Sequence, residues 1–303
     1  MAELHHFAYG WFNPVVAYLM AFLGSALGLL CTARARDAGS RGRQVRWLVL
    51  AAMAIGGAAV WLMHFMGMLG FDVPASPVRY DPLMTAVSLV IAVLTVGIGV
   101  FIVGLGQPRT YKILLGGLFT GGGVAAMHYT GIAALRVAGR VAFEPSLVGA
   151  SVVIAVVAST VALWFTSTIR GRWPIVLAAA IMGVAVVGMH YTGMAALRIS
   201  LDPRVTTVSG LSPLVLVVPI TVLAAVSLIA MAFSALQTMT EEEFAGAPAR
   251  TTWRLTEPAR EPASTTRLAL EAGGPPGADP PSAASGAVWP PPGWADVPPS
   301  RRR

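Results

Sequence analysis

Long apolar runs without a single Asp, Glu, Lys or Arg recur along the first 237 residues of this chain. Each run is about 20 to 24 residues long, so a helix built from it would cross a hydrocarbon layer of about 30 Å. A charge-free helix of that length would be very unusual inside a water-soluble protein. The pattern therefore predicts an all-α fold, a polytopic membrane bundle of seven transmembrane helices. The predicted spans are residues 13–33, 47–69, 83–104, 113–135, 147–169, 174–197 and 213–236.

The composition agrees with a membrane protein, because 55% of the residues are hydrophobic and 12% are charged. The sequence pI of about 10.3 arises mainly from arginines that flank the spans and end the chain, so we predict no nucleic-acid partner. The single cysteine, Cys31, excludes an intramolecular disulfide. The N-terminus lacks a basic segment and a small-residue cleavage site, so we expect the first span to stay in the lipid.

The distribution of positive residues between alternate loops predicts the orientation in the membrane. One side carries Arg34, Arg36, Arg41, Arg43, Arg46, Arg109, Lys112, Arg170 and Arg172. The other side carries Arg79, Arg136, Arg140, Arg198 and Arg204. Because the richer side faces the cytoplasm in most membrane proteins, we predict an N-terminus outside and a cytoplasmic C-terminus.

The character of the chain changes after residue 237. Residues 238–303 hold 12 of the 22 prolines and few large apolar residues. A segment of this composition buries too little apolar surface to form a core. We therefore predict a disordered, proline-rich cytoplasmic tail at residues 238–303, following a membrane domain at residues 1–237.

A Met-His-aromatic string is repeated three times inside the apolar body. The copies are Met63–Met68, Met127–Ile132 and Met189–Met194. Their histidines are the only ones outside the N-terminal pair His5 and His6. In the predicted topology all three strings lie in the last turns of outward-running spans two, four and six, so they share one leaflet. We therefore expect one composite site near the outer surface.

The residue types in these strings favour a metal site. Residues four apart share a helix face, so His64 lies over Met68 and His190 over Met194. An imidazole with a thioether is a ligand set suited to copper, above all Cu(I), whereas zinc more often has thiolate or carboxylate ligands beside its histidines. The candidate metal ligands are Met63, His64, Met68, Met127, His128, Met189, His190 and Met194.

Other interpretations remain open from the residues alone. Polar residues at membrane depth also join helices by hydrogen bonds, and this is the common role of a single membrane histidine. Paired histidines on neighbouring helices could ligate a haem iron, and a copper transport or handling protein would need ligands of the same kind. The spans contain no carboxylate and no Ser-His-acid set, so we expect no enzymatic activity.

The strings Met127-His128-Tyr129-Thr130 and Met189-His190-Tyr191-Thr192 resemble the signature of the MHYT domain, a bacterial membrane module of seven helices. The resemblance covers about residues 8–237, and the degenerate first copy at Met63 fits it. It implies a sensor in the inner (plasma) membrane that binds copper and detects oxygen, CO or NO. It implies a ligand role for Met63, His64, Met127, His128, Met189 and His190.

Members of that family often continue into a cytoplasmic signalling domain. The tail of this chain is short and proline-rich, without a plausible fold of its own. We therefore expect any signal to leave through a separate cytoplasmic signalling partner or through the tail.

Overall fold

A computed structural model describes residues 10–74, 76–107, 109–202, 204–205 and 207–213, with isolated positions up to residue 233. Most of this part of the chain is helical, and its long helices follow one another with short connections. They are α1 Phe12–Arg36, α2 Arg41–Leu69, α3 Pro82–Gly104, α4 Thr110–Ala133, α5 Pro145–Thr168 and α6 Arg172–Ala195.

These helices fall on the first six predicted spans. Five of them, α1, α2, α3, α5 and α6, are long and apolar enough to cross a membrane. Helix α4 has 24 residues, but its glycines, His128 and tyrosines make it less apolar. The seventh predicted span, residues 213–236, lies largely outside the described residues, and the predicted tail lies wholly outside them.

Helix α2 begins at Arg41, six residues before the predicted span, because Ser40 caps it by accepting a hydrogen bond from the backbone N–H of Arg43. The arginines in its first two turns therefore belong to the helix, although they lie outside the apolar run. Within the helix, residues Met53–Leu62 form a π-helical segment directly before the first Met-His string. A hydropathy pattern cannot distinguish this wider winding from an α-helix.

The helices form a closed ring in which each packs on the next and α6 packs on α1. Close approach depends on glycine at several of these contacts. A Cβ atom on Gly24 would lie 2.4 Å from the backbone nitrogen of Ala59, and one on Gly121 would lie 2.4 Å from the Cα of Val156. Glycine therefore allows close packing between α1 and α2 and between α4 and α5.

Large apolar side chains cover the outer faces of the ring. Leu94, Leu115 and Leu177 are 57%, 63% and 65% exposed, and many other Val, Leu and Ile side chains are similarly exposed. A water-soluble monomer rarely presents apolar surface on this scale. These exposed apolar faces, together with the long apolar helices, indicate a multi-pass membrane protein.

Four short strands lie at the end of the ring where α2, α4 and α6 finish. They are β1 Arg79–Tyr80, β2 Leu135–Arg136, β3 Gly139–Phe143 and β4 Leu197–Leu201. Antiparallel pairing joins β1 to β2 and β3 to β4. Strands of two to five residues leave no periodic signal in the sequence, so the hydropathy pattern did not predict them.

Asp81 fixes the start of α3 at this end. Its carboxylate accepts hydrogen bonds from the backbone N–H groups of Leu83 and Met84 at 2.9 and 3.0 Å, and it lies 2.9 Å from Nη2 of Arg136. The N–H of Met84, followed by the Arg136 guanidinium, holds the pKa of this carboxyl below its usual value. The Asp81–Arg136 pair thereby connects the start of α3 to β2.

We expect Asp81→Asn to remove part of the acid sensitivity of the fold. Because the folded-state pKa is lowered, the ionised carboxylate stabilises the fold above the unfolded pKa of about 3.9, and this contribution is lost as the pH falls through the folded pKa. Asparagine also caps helices but does not titrate. The measurement is the thermal unfolding midpoint in detergent from about pH 6 to pH 3. Over this range the midpoint of the wild type should fall further than the midpoint of the variant.

Asp37→Asn is the control, since Asp37 is 3.9 Å from Arg170 and both side chains are 70% exposed. Such an exposed pair contributes little to stability. Parallel pH curves for wild type and Asp81→Asn would show that the cap does not depend on the charge.

Candidate metal centre

The three histidines of the repeated strings lie on α2, α4 and α6, one on each helix. His64, His128 and His190 are all 0% exposed. Each occupies the last two turns of its helix, close to the strands described above. The structure therefore brings together three imidazoles that are more than 60 residues apart in sequence.

The Nδ1 atoms of the three rings point toward one another. Nδ1 of His64 is 3.1 Å from Nδ1 of His190 and 3.1 Å from Nδ1 of His128. One ring nitrogen from each histidine lies within 4.8 Å of the other two. Three nitrogens that bind one ion tetrahedrally at about 2.0 Å would be about 3.3 Å apart. The two separations measured from Nδ1 of His64 are close to this value.

Hydrogen bonds alone do not satisfy this arrangement. An imidazole nitrogen has one in-plane site, which carries either a proton or a lone pair. Nδ1 of His64 contacts two other Nδ1 atoms, so at most one of these contacts is a good hydrogen bond. A single cation would use all three lone pairs at once.

A glycine lies against the opposite edge of each ring. A Cβ atom on Gly67 would be 2.3 Å from Nε2 of His190, one on Gly131 would be 2.2 Å from Nε2 of His64, and one on Gly193 would be 2.1 Å from Nε2 of His128. Any side chain at these positions would displace the ring.

These three contacts form a cycle, because the histidine of each repeat lies on the glycine of the next repeat and the third closes on the first. The glycine is the third residue after the histidine in every copy of the string. These glycines are not among the predicted site residues, although their recurrence at a fixed distance from the histidine is a visible signal in the sequence.

The five methionines among the predicted ligands are buried, at 0–2% exposure, whereas Met66 of the first string is half-buried. Met63 packs against Ala17 and Ala21 of α1, and Met189 lines a cavity in the middle of the ring. Met68 accepts a hydrogen bond at its carbonyl oxygen from Tyr80 Oη, at 3.0 Å. Metal ligation by the thioethers of Met63, Met68, Met127, Met189 and Met194 stays a prediction.

Hydrogen bonds hold the ends of α2, α4 and α6, the three motif helices that carry the Met-His strings. Asn13 Nδ2 of α1 donates to the carbonyl oxygen of Met66 at 3.1 Å, and Tyr129 Oη lies 2.6 Å from Ser151 Oγ of α5. Thr192 donates to the carbonyl oxygen of Gly188 at 2.7 Å, the bond to its own helix that threonine commonly makes. Burial raises the pKa of Tyr80, whose ring lies beside Phe65.

The MHYT repeat, described as a bacterial signalling protein N terminal repeat, matches residues 57–117, 121–179 and 183–250. Each match begins within α2, α4 or α6, contains the Met-His string of that helix, and extends into the chain that follows. The matches cover more than half of the chain, so the chain belongs to the MHYT family, whose repeats occur in bacterial signalling proteins.

Three signalling proteins illustrate the relationship. The bifunctional diguanylate cyclase/cyclic di-GMP phosphodiesterase MucR of Pseudomonas aeruginosa is 37% identical over 241 residues, covering 76% of this chain and 34% of that protein. The cyclic di-GMP phosphodiesterase NbdA of the same organism is 34% identical over 191 residues, covering 61% of this chain and 24% of that protein. The signaling protein YkoW of Bacillus subtilis is 31% identical over 160 residues, covering 50% of this chain and 19% of that protein.

The chain thus spans about a third or less of the length of these relatives. No solved structure matches it. The relationship establishes an MHYT signalling module, while the activities printed in the relatives' names belong to those proteins.

We expect Gly131→Ala to destabilise the fold, because the new methyl group would collide with Nε2 of His64. Overpacking of this kind typically costs about 1–3 kcal/mol. The matched control is Gly122→Ala on the same helix, where an added Cβ meets no atom within 4 Å and alanine improves helix propensity by up to about 1 kcal/mol. Reversible unfolding in detergent measures both. Equal stability of the two variants would show that His64 does not require the glycine.

Proposed function

We propose that this chain is a membrane sensor module that binds copper through His64, His128 and His190. The observation that supports the proposal is the convergence of three buried Nδ1 atoms, separated by 3.1 Å in the two closest contacts. The family supports a signalling role, since its repeats occur in signalling proteins of two bacterial genera.

Copper(I) fits the centre better than a divalent ion. Among the residues that the structure describes, the group of possible ligands contains the three histidines without a carboxylate or thiolate. These ligands are neutral, so the charge of the ion would remain uncompensated in an apolar interior. The cost of burying an ion grows with the square of its charge, which favours a monovalent ion. The neighbouring methionines would add soft ligands for the same ion.

Haem binding is a weaker alternative on geometric grounds. Two axial imidazoles on one iron would place their nitrogens about 4 Å apart across the plane of the macrocycle. The Nδ1 atoms of the three histidines lie too close together for a porphyrin between them. A transport role would need further ligands toward the cytoplasm, and the described residues include no histidine there.

In this proposal, a diatomic gas such as oxygen, CO or NO binds the copper ion and changes the packing of α2, α4 and α6. A ligand shifts such an equilibrium only as far as its affinity differs between the two arrangements. The module itself performs no enzymatic reaction, and a separate cytoplasmic signalling partner or the tail receives the signal.

We expect the purified protein to take up about one Cu(I) ion per chain and the variant with His64, His128 and His190 all replaced by alanine to take up none. The measurement is metal analysis after anaerobic loading with Cu(I), with circular dichroism to verify folding. Single replacements of each histidine show whether a weakened site remains in a folded protein.

The double replacement of His5 and His6 by alanine is the control, because these are the two histidines outside the repeated strings. It should leave copper uptake unchanged. Undiminished uptake in the triple variant would refute the copper centre.

We also propose a seven-helix topology with the N-terminus outside and the C-terminus in the cytoplasm of a bacterial cell. The excess of arginine at the start of α2 supports this orientation. The three-histidine centre then lies in the outer leaflet of the inner membrane.

In a Cys31→Ser background, we expect Arg140→Cys on β3 to react with a membrane-impermeant maleimide in cells whose outer membrane has been opened. Arg43→Cys at the start of α2 should react only after the inner membrane is permeabilised. Both arginines are exposed, so accessibility depends on the side of the membrane. The reverse labelling pattern would show that the protein has the opposite orientation in the membrane.

A further inference from the structure

A cavity of about 40 Å3 lies in the middle of the helix ring. All six helices contribute to its lining, through Ser25, Val60, Val96, Val124, Ala155 and Val186 among others. The cavity is therefore formed by the ring as a whole.

The cavity adjoins the three-histidine centre. Val60, Val124 and Val186 each precede the histidine of their own helix by four residues. Residues four apart share a helix face and differ by about one turn in height. Met189, which also lines the cavity, is next to His190 in sequence. The cavity thus lies about one turn below the histidines, toward the predicted cytoplasmic side.

The lining is poorly suited to water. Thirteen of the 17 lining residues are apolar, and the hydroxyl groups of Thr120 and Thr166 already donate to backbone carbonyl oxygens. The other two hydroxyl groups belong to Ser25 and Ser159. Ser25 Oγ is buried and has no hydrogen-bond partner among the described residues. An ordered water needs about two to four polar partners, whereas apolar cavities stay dry and bind apolar molecules such as xenon.

We propose that this cavity is a binding site for a small apolar molecule the size of a diatomic gas. The cavity volume exceeds the roughly 10–15 Å3 that one water needs. This volume suffices for a molecule of diatomic size and for little more. The site would hold the ligand about one helical turn from the metal ion, and this role rests on the copper centre proposed above. The free hydroxyl of Ser25 offers the bound molecule one weak polar contact.

The test uses xenon, which probes the cavity without copper. Crystals of the metal-free, full-length protein are pressurised with xenon, and anomalous diffraction locates the bound atoms. We expect a xenon atom between Val60, Val124 and Val186. The variant Ala158→Leu places a larger side chain on the lining of the cavity and should abolish this peak.

The control variant is Ala150→Leu, which makes the same change at an exposed position of α5. It should bind xenon as the wild type does. Ordered water bound to Ser25 in place of xenon, or equal xenon occupancy in Ala158→Leu, would overturn the proposal.

Copper uptake is measured on the same proteins, which separates the two proposals. Copper binding without xenon in the wild type would leave the metal centre standing and refute the cavity site. Xenon binding without copper uptake would support the cavity as an apolar ligand site and refute the copper centre.

Discussion

The burial of three imidazoles against one another is the constraint on which the rest of this structure depends. Ionisable groups at membrane depth are costly, and here three of them share a volume that excludes solvent. Each ring fits because a glycine of the next repeat leaves room for it, as Gly131 does for His64. No single repeat can build this centre, because the histidine and the glycine of one contact always come from different repeats.

The loops at the same end connect the repeats in the same order as the histidines. Strand β1 of the first repeat pairs with β2 of the second, and β3 of the second pairs with β4 of the third. A bridge between Tyr80 and Leu211 links the first repeat with the third. Backbone hydrogen bonds outside the helices therefore hold the three motif helices at the spacing that the imidazoles require.

Much of this arrangement could be predicted from the sequence because it depends on periodic or repeated signals. Charge-free runs located the helices, and the recurrence of His64, His128 and His190 at similar intervals predicted a shared site. What could not be predicted depends on contacts between distant residues. The inward direction of Nδ1 follows from the glycine behind each ring, and the pairing of β3 with β4 joins segments more than 50 residues apart.

The opposite end of the ring is also held together, and this determines how a change at the centre could travel. Arg36 at the end of α1 donates hydrogen bonds to the carbonyl oxygens of Thr166 and Ile169, where α5 finishes. Gln44 of α2 donates to the carbonyl oxygen of Gly104, where α3 finishes, at 3.1 Å.

Because hydrogen bonds hold both ends of α2, a shift of α2 at His64 would have to be absorbed between these ends. The π-helical segment Met53–Leu62 lies in that interval, and its residues Ile55, Ala59 and Val60 line the central cavity. A ligand in the cavity would therefore contact the π-helical segment through these side chains, about one turn before His64.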